Sequence, residues 1–205
     1  NPVRVSLLEG DREEAVQEFK IHNTRPVFLV IGGSQGAQRI NEKILSILPQ
    51  LLENFEIIHQ VGEGNYKNFK EEVEANFPKE ILEYYHIYPF LKEKEIANAY
   101  AISDLIISRA GSGSIFEIAA VGKPSILIPL PEAAQNHQLE NAYRYAQTGA
   151  AIVIEEKNLT PHLFLGKLNW LFEHPEELNK MSQAAKSFSK IDAAQKIAKI
   201  ILAEI

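Results

Sequence analysis

Short apolar runs alternate along the chain with stretches in which apolar residues return every three or four positions, and the two patterns take turns from about residue 26 onward. Runs rich in Val and Ile read as buried strands, and the longer periodic stretches read as amphipathic helices. The strands so predicted are Val27 to Ile31, Glu56 to Val61, Tyr84 to Tyr88, Asp104 to Ser108, Ser125 to Ile128 and Ala151 to Ile154. Strands alternating with helices imply an α/β fold, expected here as a doubly wound, Rossmann-like six-stranded parallel sheet flanked by helices. Gly122 and Gly149 each follow an apolar helix and precede a strand, where a left-handed C-cap is least costly for glycine. Thr160-Pro161 reads as the N-cap and first residue of a helix from Pro161 to Phe172, and helical pattern runs from about Pro175 to the end. The last stripe, Ala193, Ala194, Ile197, Ile200 and Ile201, is expected to cover a sheet or a neighbouring domain. Residues 1 to 25 fit the alternation poorly and are expected to be an interdomain linker and lead-in, with residues 26 to 205 forming the domain proper.

Charge narrows the partners. The 205 residues carry 21 Lys and Arg against 27 Asp and Glu, a net charge of −6. That balance lacks the broad cationic footprint nucleic acid requires, so no nucleic-acid partner is expected and any anion site has to be local. There is no cysteine, hence no disulfide framework and no thiolate nucleophile, a usage that fits a reducing cytoplasm. No apolar run approaches the roughly 18 residues of a membrane span, which leaves surface attachment open.

Three turns follow predicted strands and lead into helices. The first is Gly32-Gly33-Ser34-Gln35-Gly36 after the strand ending at Ile31. It is not a Walker A loop, because no Gly-Lys-Ser/Thr closes it, and its spacing is not the dinucleotide fingerprint. The second strand ends His59-Gln60-Val61, without the carboxylate a dinucleotide site places there. An open helix N-terminus still suits phosphate, while the competing reading is that the glycines only permit close packing of strand on helix.

The second turn is Ser108-Arg109-Ala110-Gly111-Ser112-Gly113-Ser114, with Glu117 further on. Ser114 and Glu117 have capping-box spacing, which favours a structural role for both. The functional alternative gives Glu117 the hydroxyls of a sugar diol and Ser112 to Ser114 a phosphate. The third turn runs from Pro129 into His137, Gln138 and Asn141, side chains suited to neutral hydroxyls. Ligands of open α/β sheets bind outside the carboxyl ends of the strands, so the three turns reinforce one another. The six His are dispersed without ligand spacing, so no metal is expected, and no nucleophile elbow occurs.

Taken together, Gly32 to Ala37, Ser108 to Gly111, Glu117 to Ala120, Gly122-Lys123-Pro124, His137-Gln138 and Asn141-Ala142 resemble the C-terminal, donor-binding half of the MurG family of UDP-N-acetylglucosamine transferases. The resemblance covers roughly residues 1 to 155, and Asn1-Pro2-Val3-Arg4 is similar to that family's interdomain linker. It implies one half of a two-domain GT-B architecture, with the N-terminal acceptor domain absent from this chain. It further implies inverting transfer of GlcNAc from UDP-GlcNAc to the 4-hydroxyl of undecaprenyl-linked muramyl-pentapeptide, in peptidoglycan synthesis at the inner membrane surface. The full-length protein would be cytoplasmic and peripheral on the membrane, with the donor substrate as its only small molecule and no metal. By the same resemblance Ser34 and Gln35, with the glycines Gly32, Gly33 and Gly36, lie near the diphosphate. Phe90 and Leu91 flank the uracil, with the Leu91 main chain at its edge. Arg109, Ser112, Gly113 and Ser114 border the uridine and phosphates, Glu117 takes the ribose hydroxyls, and His137 and Gln138 hold the GlcNAc, with Asn141 nearby. The catalytic base is expected in the other half. Two alternatives remain at this stage: the cytosolic subunit of a split UDP-GlcNAc transferase acting on dolichol-linked sugar, and a non-enzymatic nucleotide-sugar binding module.

Overall fold

Six parallel strands order the molecule: β1 Val27–Ile31, β2 Glu56–Gln60, β3 Tyr85–Tyr88, β4 Leu105–Ser108, β5 Ser125–Leu127 and β6 Ala151–Val153, side by side as β3-β2-β1-β4-β5-β6. The structure is a computed structural model and describes residues 1–33, 37–133 and 136–203. Its helices are α1 Arg12–Phe19, α2 Gln38–Ser46, α3 Leu48–Asn54, α4 Glu63–Asn76, α5 Lys79–Leu82, α6 Glu93–Ile102, α7 Ser112–Ala120, α8 His137–Ala146, α9 Pro161–Glu173, α10 Pro175–Phe188 and α11 Ala193–Ala203. Short 3₁₀ turns occupy Val5–Glu9 and Glu156–Asn158.

The sheet is covered on both faces, which is why its strands are apolar runs rather than alternating ones. Phe28, Val30, Ile57, Ile107 and Ile126 pack with residues of α2, α3 and α9 on one side. Leu29, Ile31, Ile58, Ile106 and Leu127 pack with α6, α7, α8 and the lead-in on the other. The sequence places all six strands to within a residue or so at each end. Asp104, just before β4, already pairs with β1: its carboxylate accepts the Val27 N–H at 2.8 Å and its own N–H donates to the Val27 carbonyl at 2.7 Å. Val61, Ile128 and Ile154 lie just past their strands yet still donate to Tyr88, Ser108 and Leu127 carbonyls. Gly122 and Gly149 are left-handed at φ 66° and 85°, and the Thr160 hydroxyl caps α9 by accepting from Leu163 N–H, with Pro161 at its first position.

Two terminal segments behave differently from the rest of the alternation. Much of residues 1 to 25, expected as linker and lead-in, is packed: Leu7, Ala15, Phe19 and Ile21 are buried in the same core as α6. The Asp11 N–H donates to Asn98 at 3.0 Å, and a methyl group on Gly10 would lie 2.1 Å from the Ala97 carbonyl oxygen. The pattern is weak because α1 buries only Ala15 and Phe19. At the other end α11 has no buried residue, and Ile197, Ile200 and Ile201 are exposed. The stripe expected to cover a sheet therefore does not cover this one.

Candidate functional site

In a sheet of this order the winding reverses between β1 and β4, so the loops leaving those strands diverge and open a crevice at the carboxyl edge. On the β1 side the chain passes through Gly32 and Gly33, and Gly33 sits at φ +88°. A Cβ there would meet no atom within 4 Å, so glycine is required by the backbone conformation rather than by space. Ser34, Gln35 and Gly36 lie outside the described residues. Beyond them α2 starts after Ala37 with no side-chain cap. Gln60, at the end of β2, donates to the Gly33 carbonyl at 3.2 Å and accepts from Leu91 N–H at 2.9 Å. The position a dinucleotide site gives to an acid thus holds an amide that ties the β1 and β3 loops together. Leu91 is buried with its N–H committed to Gln60, while neighbouring Phe90 is exposed.

On the β4 side the expected capping box does not form. Gly111, not Ser114, is the N-cap of α7, so Ser114 is already in the first turn and Glu117 lies beyond it. No side chain caps this helix, and the amides of Ser112, Gly113 and Ser114 precede the first intrahelical bond, from Ile115 N–H to the Gly111 carbonyl. Gly113 has nothing within 4 Å of where its Cβ would be. Glu117 falls four residues further on the same face. Its Oε1 accepts from Arg4 Nη2 at 2.8 Å and Arg4 Nε at 3.2 Å, and the Asn1 amide donates to the Ser112 hydroxyl at 2.9 Å. Asn1 and Arg4 therefore rest against α7. Nothing in the sequence signals this pairing, because its partners are more than a hundred residues apart.

Arg109 is buried, and its guanidinium donates to the Ile128 carbonyl at 3.2 Å and ion-pairs with Glu156 at 2.6 Å. Glu156 also binds Arg39, which reaches Glu132 as well, both at 2.7 Å. These two carboxylates hold the exposed Arg39 guanidinium firmly protonated, raising its pKa above the usual arginine value. The chain of charges links α2 to the exits of β4, β5 and β6, and sequence reasoning missed both Arg39 and Glu156. On α8, His137 is the first residue, Gln138 accepts from Leu130 N–H at 3.1 Å, and Asn141 reaches the Ala110 carbonyl at 3.5 Å. Gln138 and Asn141 thus bind the β5 and β4 loops from one helix. A cleft of about 210 Å³ opens beside them between Pro129–Pro131 and Glu155–Lys157.

The strand order, the reversal between β1 and β4 and the open helix start at their shared crevice define a Rossmann-like domain of the GT-B glycosyltransferase class. Residues 27–197 match the family model described as the glycosyltransferase family 28 C-terminal domain, and the chain belongs to that family. It is 38% identical over 203 residues to the UDP-N-acetylglucosamine–N-acetylmuramyl-(pentapeptide) pyrophosphoryl-undecaprenol N-acetylglucosamine transferase of Thermodesulfovibrio yellowstonii, covering 97% of this chain and 53% of the relative. The enzyme of the same name from a Thermoanaerobacter species is 37% identical, covering 98% and 54%. Among solved structures, MurG of Acinetobacter baumannii superposes with a TM-score of 0.75 at 28% identity, over 96% of this chain and 55% of that one. The chain spans about half the length of the curated relatives it matches.

Proposed function

We propose that the chain is the donor-binding half of an inverting glycosyltransferase that moves GlcNAc from UDP-GlcNAc to the 4-hydroxyl of lipid-linked muramyl-pentapeptide. The observation that carries this reading is the uncapped start of α7 at the switch-point crevice, with the open position at Gly113 and the Glu117 carboxylate on one face. Loss of UDP builds negative charge on the diphosphate. Preorganised amides at the starts of α7 and α2 stabilise that charge where it develops. Ser34, Gln35 and the glycines Gly32, Gly33 and Gly36 line the diphosphate on the β1 side, and Ser112, Gly113 and Ser114 do so on the β4 side. Glu117 accepts the ribose hydroxyls; both Arg4 contacts fall on Oε1, so Oε2 is the oxygen that meets the sugar first. Phe90 and the Leu91 carbonyl border the uracil, His137 and Gln138 hold the GlcNAc with Asn141 behind them, and Arg109 acts by holding the β4 and β5 loops at the site's wall. The base that deprotonates the acceptor is assigned to the other half of the full-length protein, which also presents the undecaprenyl-linked sugar at the inner membrane surface. Among the described residues no helix is long and apolar enough to cross a membrane.

Calorimetric titration of the chain with UDP, UDP-GlcNAc, NAD and ATP tests the reading. UDP and UDP-GlcNAc are expected to bind in preference to the other two. Tighter binding of NAD or ATP overturns it.

A further inference from the structure

We propose that His22, Glu56 and His86 form a site for a divalent transition-metal ion of the zinc class, at the amino edge of the sheet and remote from the sugar-nucleotide crevice. The three residues are 34 and 30 positions apart in sequence, which is why the spacing of the histidines suggests no metal. Folding brings them together: Glu56 opens β2, His86 stands on the adjacent β3, and His22 lies where the lead-in crosses toward β1. One donor atom from each lies within 4.8 Å of the others.

The geometry converges on a single oxygen. His22 Nδ1 is 3.0 Å and His86 Nε2 is 2.7 Å from Glu56 Oε1. Tetrahedral zinc bonds of about 2.0–2.1 Å set donor atoms roughly 3.3–3.4 Å apart, so an ion enters when the two rings shift about Glu56 Oε1 by roughly half an ångström or more and each gives up the proton it shares with the carboxylate. The donor set of two imidazoles and one carboxylate suits zinc or its first-row neighbours, whereas magnesium and calcium require mainly oxygen. Supports for the ligands are already in place. The His22 backbone N–H donates to both Glu56 oxygens at 3.1 Å, the His22 ring packs on Tyr84 at 4.7 Å, and the Arg25 guanidinium lies over that tyrosine at 3.5 Å.

Electrostatics favour the ion as well. The Glu56 side chain is fully buried, and a buried carboxylate needs compensation. Its hydrogen-bond partners are two imidazoles and a backbone amide, and the neutral imidazole is the form a metal binds. The Lys20 charge also reaches the cluster and works against the ion, so the buried carboxylate has to outweigh it. Entry is from the His22 side, which is 38% exposed against 12% for His86, and a solvent water completes the fourth position. Bound there, the ion clasps the lead-in to β2 and β3.

The test uses the whole chain after chelator treatment, titrated with ZnCl₂ by calorimetry and melted with ZnCl₂ or MgCl₂. Expected are one zinc per chain, a melting temperature raised by zinc and not by magnesium, and a visible ligand-field spectrum when CoCl₂ is substituted. His22→Ala, at the most exposed ligand, and His86→Gln, which still donates a hydrogen bond to Glu56, are each expected to weaken zinc binding by about tenfold or more and to abolish the cobalt spectrum. If His22→Ala does not fold, His86→Gln carries the comparison alone. Absence of saturable zinc binding overturns the proposal, as does undiminished binding in the folded variants, which puts the ion elsewhere.

Discussion

Glu117 has two partners that one substitution separates: Arg4, which it holds now, and the ribose we assign to it. The Arg4 pair is half exposed on the arginine side, and such pairs contribute at most about 1 kcal/mol. Since Gly111 rather than Ser114 caps α7, Glu117→Gln takes no cap away. The variant is expected to melt close to the parent while UDP affinity falls by roughly 1.5–3 kcal/mol, the range for hydrogen bonds to a charged group. Unchanged UDP affinity in an isothermal titration would assign Glu117 to anchoring the lead-in alone. Of the individual side chains, Glu117, Gln138 and Asn141 are legible as hydrogen-bonding groups at the right sheet edge. Their present partners are not, because Arg4, Leu130 and Ala110 reach them only through the tertiary fold.

Among the elements, the lead-in before β1 offers the sharpest contrast between pattern and packing. Gly10 lies in the stretch expected as linker and lead-in, yet a methyl group there would meet the Ala97 carbonyl oxygen at 2.1 Å and its carbon at 2.5 Å. Backbone inside α6 cannot retreat as a flexible side chain would. Gly10→Ala is therefore expected to cost about 1–3 kcal/mol in urea unfolding, as overpacking does. Gly166 in α9 is the control: a Cβ there meets nothing within 4 Å, so Gly166→Ala should be neutral or stabilising by up to about 1 kcal/mol. If both substitutions behave alike, the packing of the lead-in on α6 is not part of what stabilises the domain. The strands need no such help from context, since a Val- and Ile-rich run covered on both sides has one apolar identity whichever neighbour it meets.

For the molecule as a whole, the buried His59 makes stability depend on pH. It lies on β2 between Asn41 and Tyr85, fully buried, and burial pushes its pKa down to about 3. The unfolded chain takes up a proton near 6.5 that the folded chain refuses, so the stabilisation is complete above that pH. It declines as pH falls toward 3, by about 1.4 kcal/mol for each pH unit inside the window. Denaturant titrations from pH 7 to pH 5 should show a shallower loss in His59→Gln than in the parent. His86, also lowered by burial, adds a slope of the same sign to both proteins and cancels in the difference. Equal slopes would show that His59 titrates normally in the folded state.

The linear pattern by itself determined the six strands, their alternation with helices, the left-handed glycines at 122 and 149 and the Thr160-Pro161 helix start. These features are local: a run's polarity, a φ only glycine adopts cheaply, or a hydroxyl three residues from the amide it caps. Only the tertiary structure decided which distant groups meet. It seats the lead-in on α6, sets Arg4 on Glu117, ties Arg39 of α2 and Arg109 past β4 to Glu156 past β6, and gathers His22, Glu56 and His86 at the opposite edge. Each of those contacts joins segments separated by tens of residues or more, and a strand order of β3-β2-β1-β4-β5-β6 is what makes them neighbours.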